Sequence, residues 1–493
     1  MPTDESFTLP INVDPNVTPD APKHAQPTIG LIGMGAMGRM YAKLLSQAGW
    51  KKILVCDLPE KYEKLKADFA NSPGVQPQTD GHAVSRSSDY IIYSVEAEFI
   101  DRVVAQYGPS TKVNAIVAGQ TPVGQPLVLI QHRSTKDALT LVENILRPFR
   151  SRFVYLTFEE HDSVTANTQA VTHAAFLSMG TAWASTESYP WEQGLYVGGI
   201  ETAKVNLALR IYSNAWHVYA GLAILNPSAR AQIHQYAKSA SEMFKLMLSG
   251  GSGSLEDRAK FKERVEWARK TVFGERESIS EEDDAAVAGE TEKAEEDKGT
   301  SAPLTRSSRP PILLSATILD RFSLGKSQPP PPLTVPESPT TTSMSLPFSN
   351  LEPPPIYRPN SHLSLLAMVD CWAHLNINPY THLSLAATPI FRLFLGVAEH
   401  LFQSPTLLRS AIHSALYDNW HRADDLEFVI AARGWSQCVS FGSFEVYRRR
   451  FEETRRFFEP RFEEGGRLGS EMIKAVMETE VKREEEERIR RGL

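Results

Sequence analysis

The hydrophobic pattern divides the chain into two parts of different character. Between residues 28 and 157, short β-branched apolar runs alternate with segments of helical periodicity, which predicts βαβ units around a parallel sheet. Beyond about Glu160 the strand signal ends, and apolar residues recur at helical spacing as far as Ile473. We therefore expect an α/β domain followed by an all-α domain. The apolar runs are Thr28–Ile32, Lys52–Cys56, Tyr90–Val95, Val113–Ala118, Leu127–Ile130 and Arg152–Leu156.

A long insert without periodicity interrupts the helical half. Residues 275–311 are acidic and then rich in Ser, Thr and Pro, and eleven prolines fall within residues 325–360. Because proline cannot sit inside a helix or a sheet, we expect 275–311 and 325–360 to be disordered. The apolar island 312–324 between them is expected to pack on the helical domain. Helical periodicity returns at Ser361–Leu375, Pro389–Phe402, Thr406–Tyr417 and Asp424–Phe441.

Composition and charge exclude several classes of function. The net charge of −7 over 493 residues equals the charge of the acidic stretch Glu281–Lys298 alone, so the rest of the chain is close to neutral. No basic face therefore points to nucleic acid or to an anionic membrane. No apolar run reaches the ~18 residues of a membrane helix. Three cysteines without a CxxC pair, and an acidic start unlike a signal peptide, lead us to expect a reducing, cytoplasmic setting.

The strongest motif follows the first apolar run. Gly33, Gly35 and Gly38 form a GxGxxG pattern between a predicted strand and a predicted helix, with Met34, Ala36 and Met37 at the intervening positions. The first glycine permits the tight turn, the second lets backbone approach a pyrophosphate, and the third allows close helix–strand packing. The helix N-terminus supplies N–H groups and a positive dipole. The motif predicts a Rossmann-type dinucleotide-binding domain.

Two later strand ends add cofactor candidates. Asp57 follows Gly38 by nineteen residues, where an acid ordinarily binds the ribose 2′-hydroxyl and favours NAD over NADP. Lys61, one turn further on, is either a partner for the 2′-phosphate of NADP or a solvated lysine. Ser94, Val95 and Glu96 end another strand, where the far half of the cofactor would lie. The alternative for these three residues is a plain strand end before a helix cap.

Beyond the fingerprint, nine long and unusual strings resemble one family, the fungal NADP-dependent prephenate dehydrogenases of tyrosine biosynthesis. The resemblance implies hydride transfer from the ring C4 carbon of prephenate to NADP with loss of carboxylate, which yields 4-hydroxyphenylpyruvate. It also implies a homodimer formed through the helical domain. The strings are Gly81–Arg86, Ser88–Glu96, Gly124–Val128, His132–Ser134, Glu160–Asp162, Thr168–Gly180, Leu209–Asn214, Trp216–Gly221 and Asn360–Leu366.

The resemblance also implies the site residues and the domain limits. His173 corresponds to a substrate-pocket histidine, and Arg210 to an arginine that would bind a prephenate carboxylate; the alternatives are a core histidine and a surface ion-pair partner. Trp216 and His217 are interpreted as packing residues. The expected domains are a tail at 1–26, the Rossmann domain at 27–157, the helical substrate and dimerisation domain at 158–274, 312–324 and 361–473, the insert at 275–311 and 325–360, and a charged helical tail at 474–493.

One segment departs from the family pattern. Only the eight residues Gly119–Pro126 separate two predicted strands, whereas a parallel crossover needs at least ten to twelve, so we expect a hairpin or an irregular join. The family has there a helix, a strand and a His-Ser-Leu-His-Gly-Pro loop with the catalytic histidine. Its absence near Thr121–Pro122 indicates either an error in the gene model or a truncated protein. We expect this 493-residue chain to be inactive or nearly so.

Two other functions stay open at this point. The string Gly33–Gly38 also resembles the start of β-hydroxyacid dehydrogenases, which need a catalytic lysine on a long helix; Lys204 is the nearest candidate, in surroundings unlike that motif. The second alternative is a non-catalytic dinucleotide-binding dimer module. It predicts cofactor binding without turnover.

Overall fold

The computed structural model describes residues 10–96, 98–119, 127–196, 198–274, 319, 322, 324, 359–383 and 388–475. The chain divides into two compact units. The first comprises residues 1–165 with 217–221, and the second comprises residues 166–216 with 222–493. Most of the disordered insert expected from the sequence, most of the charged tail 474–493 and the segment Thr121–Pro122 lie outside the described residues.

A five-stranded parallel sheet forms the first unit, in the order β3-β2-β1-β4-β5. Every residue of β1, β2 and β4 is buried, as expected for strands covered by helices on both faces. The strands are β1 (Ile29–Ile32), β2 (Ile53–Cys56), β3 (Val75–Pro77), β4 (Tyr90–Tyr93) and β5 (Ile116–Gly119). The helices between and after them are α1 (Ala36–Gln47), α2 (Tyr62–Asp68), α3 (Gly81–Ser87) and α4 (Ile100–Tyr107).

The last two apolar runs of this unit form a separate small sheet. β6 (Leu127–Leu129) pairs in parallel with β7 (Phe153–Tyr155), and α5 (Lys136–Leu146) connects them. Of the described strands, β5 pairs only with β4. The hairpin alternative for Gly119–Pro126 is therefore wrong, since β5 and β6 belong to different sheets. Leu127 and Leu129 nevertheless pack into the same core as Leu31. The unit ends with α6 (Phe158–Thr165).

The second unit is built from helices around the buried helices α7 (Val171–Ser185) and α10 (Pro227–Gly251). Trp435 joins two of its helices, because its indole N–H donates to Leu177 O at 3.2 Å. The others are α8 (Gly199–Ser213), α9 (His217–Leu225), α11 (Leu255–Phe273), α12 (Leu363–His374), α13 (Pro389–Gln403), α14 (Pro405–Tyr417), α15 (Arg422–Phe441) and α16 (Phe444–Phe458). By the contact division, the first five residues of α9 count with the first unit.

Side-chain caps fix where several helices begin. Asn226 accepts from the N–H groups of Ser228 and Ala229 at the start of α10, with proline at the first position. Ser254, Ser404 and Ser443 cap their helices in the same way. Among the described residues, no helix combines the length and the apolar character that a membrane span requires.

Of the apolar island 312–324, the structure describes Leu319, Phe322 and Leu324. Leu319 and Phe322 are buried. The carbonyl oxygen of Phe322 accepts from Asn206 Nδ2 of α8 at 2.8 Å. These residues therefore pack on the helical unit.

Candidate active site

The glycine turn after β1 is held by close backbone contacts. Gly33 has a φ of +98° and donates from its N–H to Cys56 O at 2.9 Å. A Cβ on Gly33 would lie 2.5 Å from Ser94 O, and one on Gly38 would lie 2.1 Å from Gly33 O. Both positions therefore require glycine, as the fingerprint predicts.

Gly35 is glycine for another reason. It is the N-cap of α1, with no side-chain cap among the described residues. Apart from its chain neighbours, no described atom lies within 4 Å of where its Cβ would stand. The open space and the uncapped N–H groups fit a pyrophosphate held at a helix N-terminus. Ala36 is exposed beside it and Met37 is half-buried.

Asp57 is engaged by the protein itself. Its Oδ2 accepts from the N–H of Met34 at 3.2 Å, and its Oδ1 accepts from the N–H of Leu58 at 2.8 Å. Lys61 Nζ lies 3.2 Å from the same Oδ1. The Asp57 side chain is 12% exposed and that of Lys61 is 50% exposed. The carboxylate thus braces the glycine turn, while the ammonium group reaches solvent. The side chain of Met34 is buried, so only its backbone can face a cofactor.

The sheet order places the turn at the edge where dinucleotides bind. β1 and β4 are neighbours whose connections leave in opposite directions, and ligands bind outside the carboxyl ends of strands at such a switch point. Ser94 is buried at this point and donates from its N–H to Ile32 O at 2.7 Å. Val95 is half-buried and Glu96 is exposed. Glu96 Oε2 lies 3.3 Å from His217 Nδ1, within the first unit.

The second unit carries His173 and Arg210 on neighbouring helices. Tyr212 of α8 donates from its hydroxyl to Leu177 O of α7 at 2.7 Å. His173 lies one turn before Leu177, and Arg210 lies two residues before Tyr212. Burial lowers the pKa of His173 to about 4, so the imidazole is neutral at neutral pH and can accept a hydrogen bond. Arg210 Nη1 donates to Ser470 Oγ at 3.4 Å.

The sequence interpretation missed a buried ionic cluster on α8. Lys204 is 1% exposed, and its Nζ lies 2.7 Å from Glu201 Oε2. His362 Nδ1 lies 3.2 Å from Glu201 Oε1 and 3.3 Å from Lys204 Nζ. Burial and the positive charges of Lys204 and His421 hold the pKa of His362 well below its usual value. Lys204 is therefore a buried ion-pair partner, which does not favour the β-hydroxyacid dehydrogenase alternative. Its signal is the i,i+3 spacing of opposite charges within an apolar helix.

Two family models match the chain. Residues 170–290 and 301–478 match a model for a 6-phosphogluconate dehydrogenase C-terminal domain of the type found in the tyrosine-pathway dehydrogenases. Residues 28–118 match "NADP oxidoreductase coenzyme F420-dependent".

Two fungal proteins are similar over nearly their whole length. The probable prephenate dehydrogenase [NADP(+)] of Schizosaccharomyces pombe is 43% identical over 482 residues, covering 91% of this chain and 97% of that protein. The prephenate dehydrogenase [NADP(+)] of Saccharomyces cerevisiae is 42% identical over 488 residues, covering 92% and 94%. A solved structure, prephenate dehydrogenase from A. aeolicus with hydroxyphenyl propionate and NAD+, aligns with a TM-score of 0.37 and 16% identity over 48% of this chain and 96% of that chain.

Proposed function

Since the chain belongs to the family of the fungal NADP(+)-dependent prephenate dehydrogenases, we propose that its reaction is theirs. Prephenate is oxidised at its ring C4 carbon by hydride transfer to NADP and loses carboxylate, which gives 4-hydroxyphenylpyruvate for tyrosine biosynthesis. The observation that carries this conclusion is the 43% identity over 97% of the Schizosaccharomyces pombe relative.

The nucleotide is held by the first unit. The glycine turn and the open N-terminus of α1 at Gly35 accept the pyrophosphate, because uncapped N–H groups and the helix dipole favour an anion there. The nicotinamide of NADP supplies the hydride acceptor when bound. Ser94, Val95 and Glu96 follow β4 at the switch point, on the side proposed for the nicotinamide half.

Lys61 is the proposed partner of the 2′-phosphate. An acid at the end of β2 ordinarily disfavours that phosphate, but both oxygens of Asp57 are occupied by protein donors, one of which is Lys61 itself. The negative charge is thereby compensated, and the exposed ammonium group stands beside it. This arrangement accounts for NADP use by a chain that carries the acidic residue.

His173 and Arg210 are the proposed substrate residues. A neutral imidazole accepts the hydrogen bond of a hydroxyl, and the low pKa of His173 keeps it in that form. A guanidinium binds a carboxylate through two parallel hydrogen bonds, which suits Arg210 to one of the two carboxylates of prephenate.

Turnover by this 493-residue chain is expected to be slow, because the family's catalytic-histidine segment has no counterpart in residues 119–126. Loss of a general base costs about 10²–10⁴ in rate. We would mix the purified chain with prephenate and NADP, and then with prephenate and NAD, and follow reduced nicotinamide by absorbance. The matched experiment inserts the family segment at Thr121–Pro122.

The expected result is tight NADP binding, slow turnover and a gain of at least about a hundredfold on insertion. Fast turnover by the present chain would show that another residue, His173 first, replaces the missing histidine. No gain on insertion into a folded, NADP-binding protein would contradict the proposed defect. Binding of NADP with no turnover by either chain would favour the non-catalytic dimer module.

A cytoplasmic homodimer is proposed for the assembled protein. The three cysteines are free and buried, which suits a reducing compartment. Exposed apolar side chains on α15 of the helical unit, Leu426 and Ile430, supply a surface for a second copy.

A further inference from the structure

The outward face of α16 carries a cavity that the proposed reaction does not use. The helix buries Tyr447, Phe451 and Phe458 in the core, so the side chains between them face outward. The cavity measures about 600 Å3, within the ~300–1,000 Å3 of small-molecule sites. It is lined by Trp216, Arg448, Arg449, Glu452, Glu453 and Arg456.

Two of the charged lining residues are already compensated by neighbours. Arg448 Nη2 lies 2.8 Å from a carboxylate oxygen of Glu445. Glu452 lies 3.9 Å from the guanidinium of Arg455. These two residues contribute little net charge to the cavity.

The other three charged lining residues are uncompensated. Within the part of the chain that the structure describes, Arg449, Arg456 and Glu453 form no ion pair. Arg449 and Arg456 are seven residues apart, about 10 Å along one side of the helix, and Glu453 falls between them. Two cations thus flank one anion along the cavity wall.

Trp216 forms the apolar part of the wall. Its indole meets the ring of Phe444 edge-on, with 6.4 Å between ring centroids and 65° between planes. An indole face attracts a flat ring, and guanidinium groups pair with carboxylates. Glu453 completes the pattern, because a free carboxylate is the partner of an ammonium group.

We propose that this cavity binds an aromatic α-amino acid. The ligand carboxylate contacts Arg449 and Arg456, the ammonium group contacts Glu453, and the ring packs on Trp216. A nucleic acid is a poor match, because two glutamates line the cavity and would repel a run of phosphates.

The test measures L-phenylalanine binding to the full chain by calorimetry, with 3-phenylpropionate as the ligand that lacks the ammonium group. The double variant Arg449→Gln/Arg456→Gln is expected to bind both ligands at least about tenfold more weakly. Glu453→Gln is expected to weaken L-phenylalanine alone. Trp216→Phe should abolish any change of tryptophan fluorescence on binding.

Arg467→Gln is the matched control, since Arg467 pairs with Glu471 on a later helix and does not line the cavity. NADP binding by every variant should equal that of the parent chain, which reports a folded nucleotide site independently. Absence of L-phenylalanine binding by the parent chain, or equal binding by the double variant, would overturn the proposal. Displacement by inorganic phosphate as effective as by L-phenylalanine would show a general anion site and also overturn it.

Discussion

Lys61 decides nucleotide choice if Asp57 only braces the turn. Lys61→Met should weaken NADP binding roughly tenfold, because a charge-assisted contact to the 2′-phosphate is lost, and should leave NAD binding nearly unchanged. Titration of each nucleotide by calorimetry measures this. Lys64→Met is the control, being an exposed lysine of the same helix. An equal loss for both nucleotides would place Lys61 elsewhere than at the phosphate.

His173 makes stability depend on pH in a definite direction. The folded chain protonates it near pH 4, whereas the unfolded chain protonates a histidine near 6.5. The free energy of unfolding contributed by His173 is thus full above pH 6.5 and falls as pH drops toward 4, by about 1–3 kcal/mol. Urea titrations of the parent chain and of His173→Gln at several pH values should show the slope only in the parent. Equal slopes would contradict the low pKa.

The ionic cluster on α8 is costly to break and cheap to replace. Lys204→Met leaves Glu201 buried without its ammonium partner and should lower the free energy of unfolding by about 3–5 kcal/mol. Adding Glu201→Leu should recover most of that loss. Lys260→Met, which breaks the exposed pair with Glu256, is the control and should cost about 1 kcal/mol or less. A double variant no more stable than Lys204→Met would show that the charges themselves are required.

At the scale of elements, α1 and its turn separate packing from binding. Gly38→Ala should destabilise the first unit, because the new Cβ would meet Gly33 O. Gly35→Ala should leave the melting temperature nearly unchanged, since that Cβ enters open space at an allowed φ of −68°. It should still weaken NADP binding, because the methyl group occupies the path of the pyrophosphate. Melting curves with and without NADP distinguish the two; equal effects would contradict the assignment.

The strands of the nucleotide turn could be predicted because their signal is local. β1, β2 and β4 lie inside apolar runs, since each is buried on both faces. β3 has no such run: Val75 is its only buried residue and Pro77 ends it. The pairing of β6 with β7 depends on contacts distant in sequence, which a pattern of positions does not contain.

The candidate site was predictable in part for the same reason. The positions of Gly33 and Gly38 follow from spacing, but the engagement of Asp57 by backbone donors requires coordinates. Glu201 and Lys204 escape a pattern analysis, because charged residues count as surface although every residue from Ile200 to Leu209 is buried.

At the scale of the whole molecule, self-association is expected through the helical unit. Leu426 and Ile430 lie one turn apart on α15 and are 45% and 54% exposed. Leu426→Glu/Ile430→Glu should convert a dimer into monomers, because burying the new charges is unfavourable. Sedimentation velocity measures the change. Leu255→Glu, at another exposed leucine, is the control; a dimer that persists in the double variant would move the interface elsewhere.

The position of β5 at the border of the described sheet bears on how the protein behaves at high concentration. Val117 is 50% exposed on β5, and Val113 just before it is 72% exposed. An apolar border strand with unpaired backbone groups is a template for strand addition between molecules. Concentrated or warmed samples should therefore lose native protein to intermolecular β-aggregates that start from this strand. A chain in which a further strand covers β5 would be more soluble as well as more active.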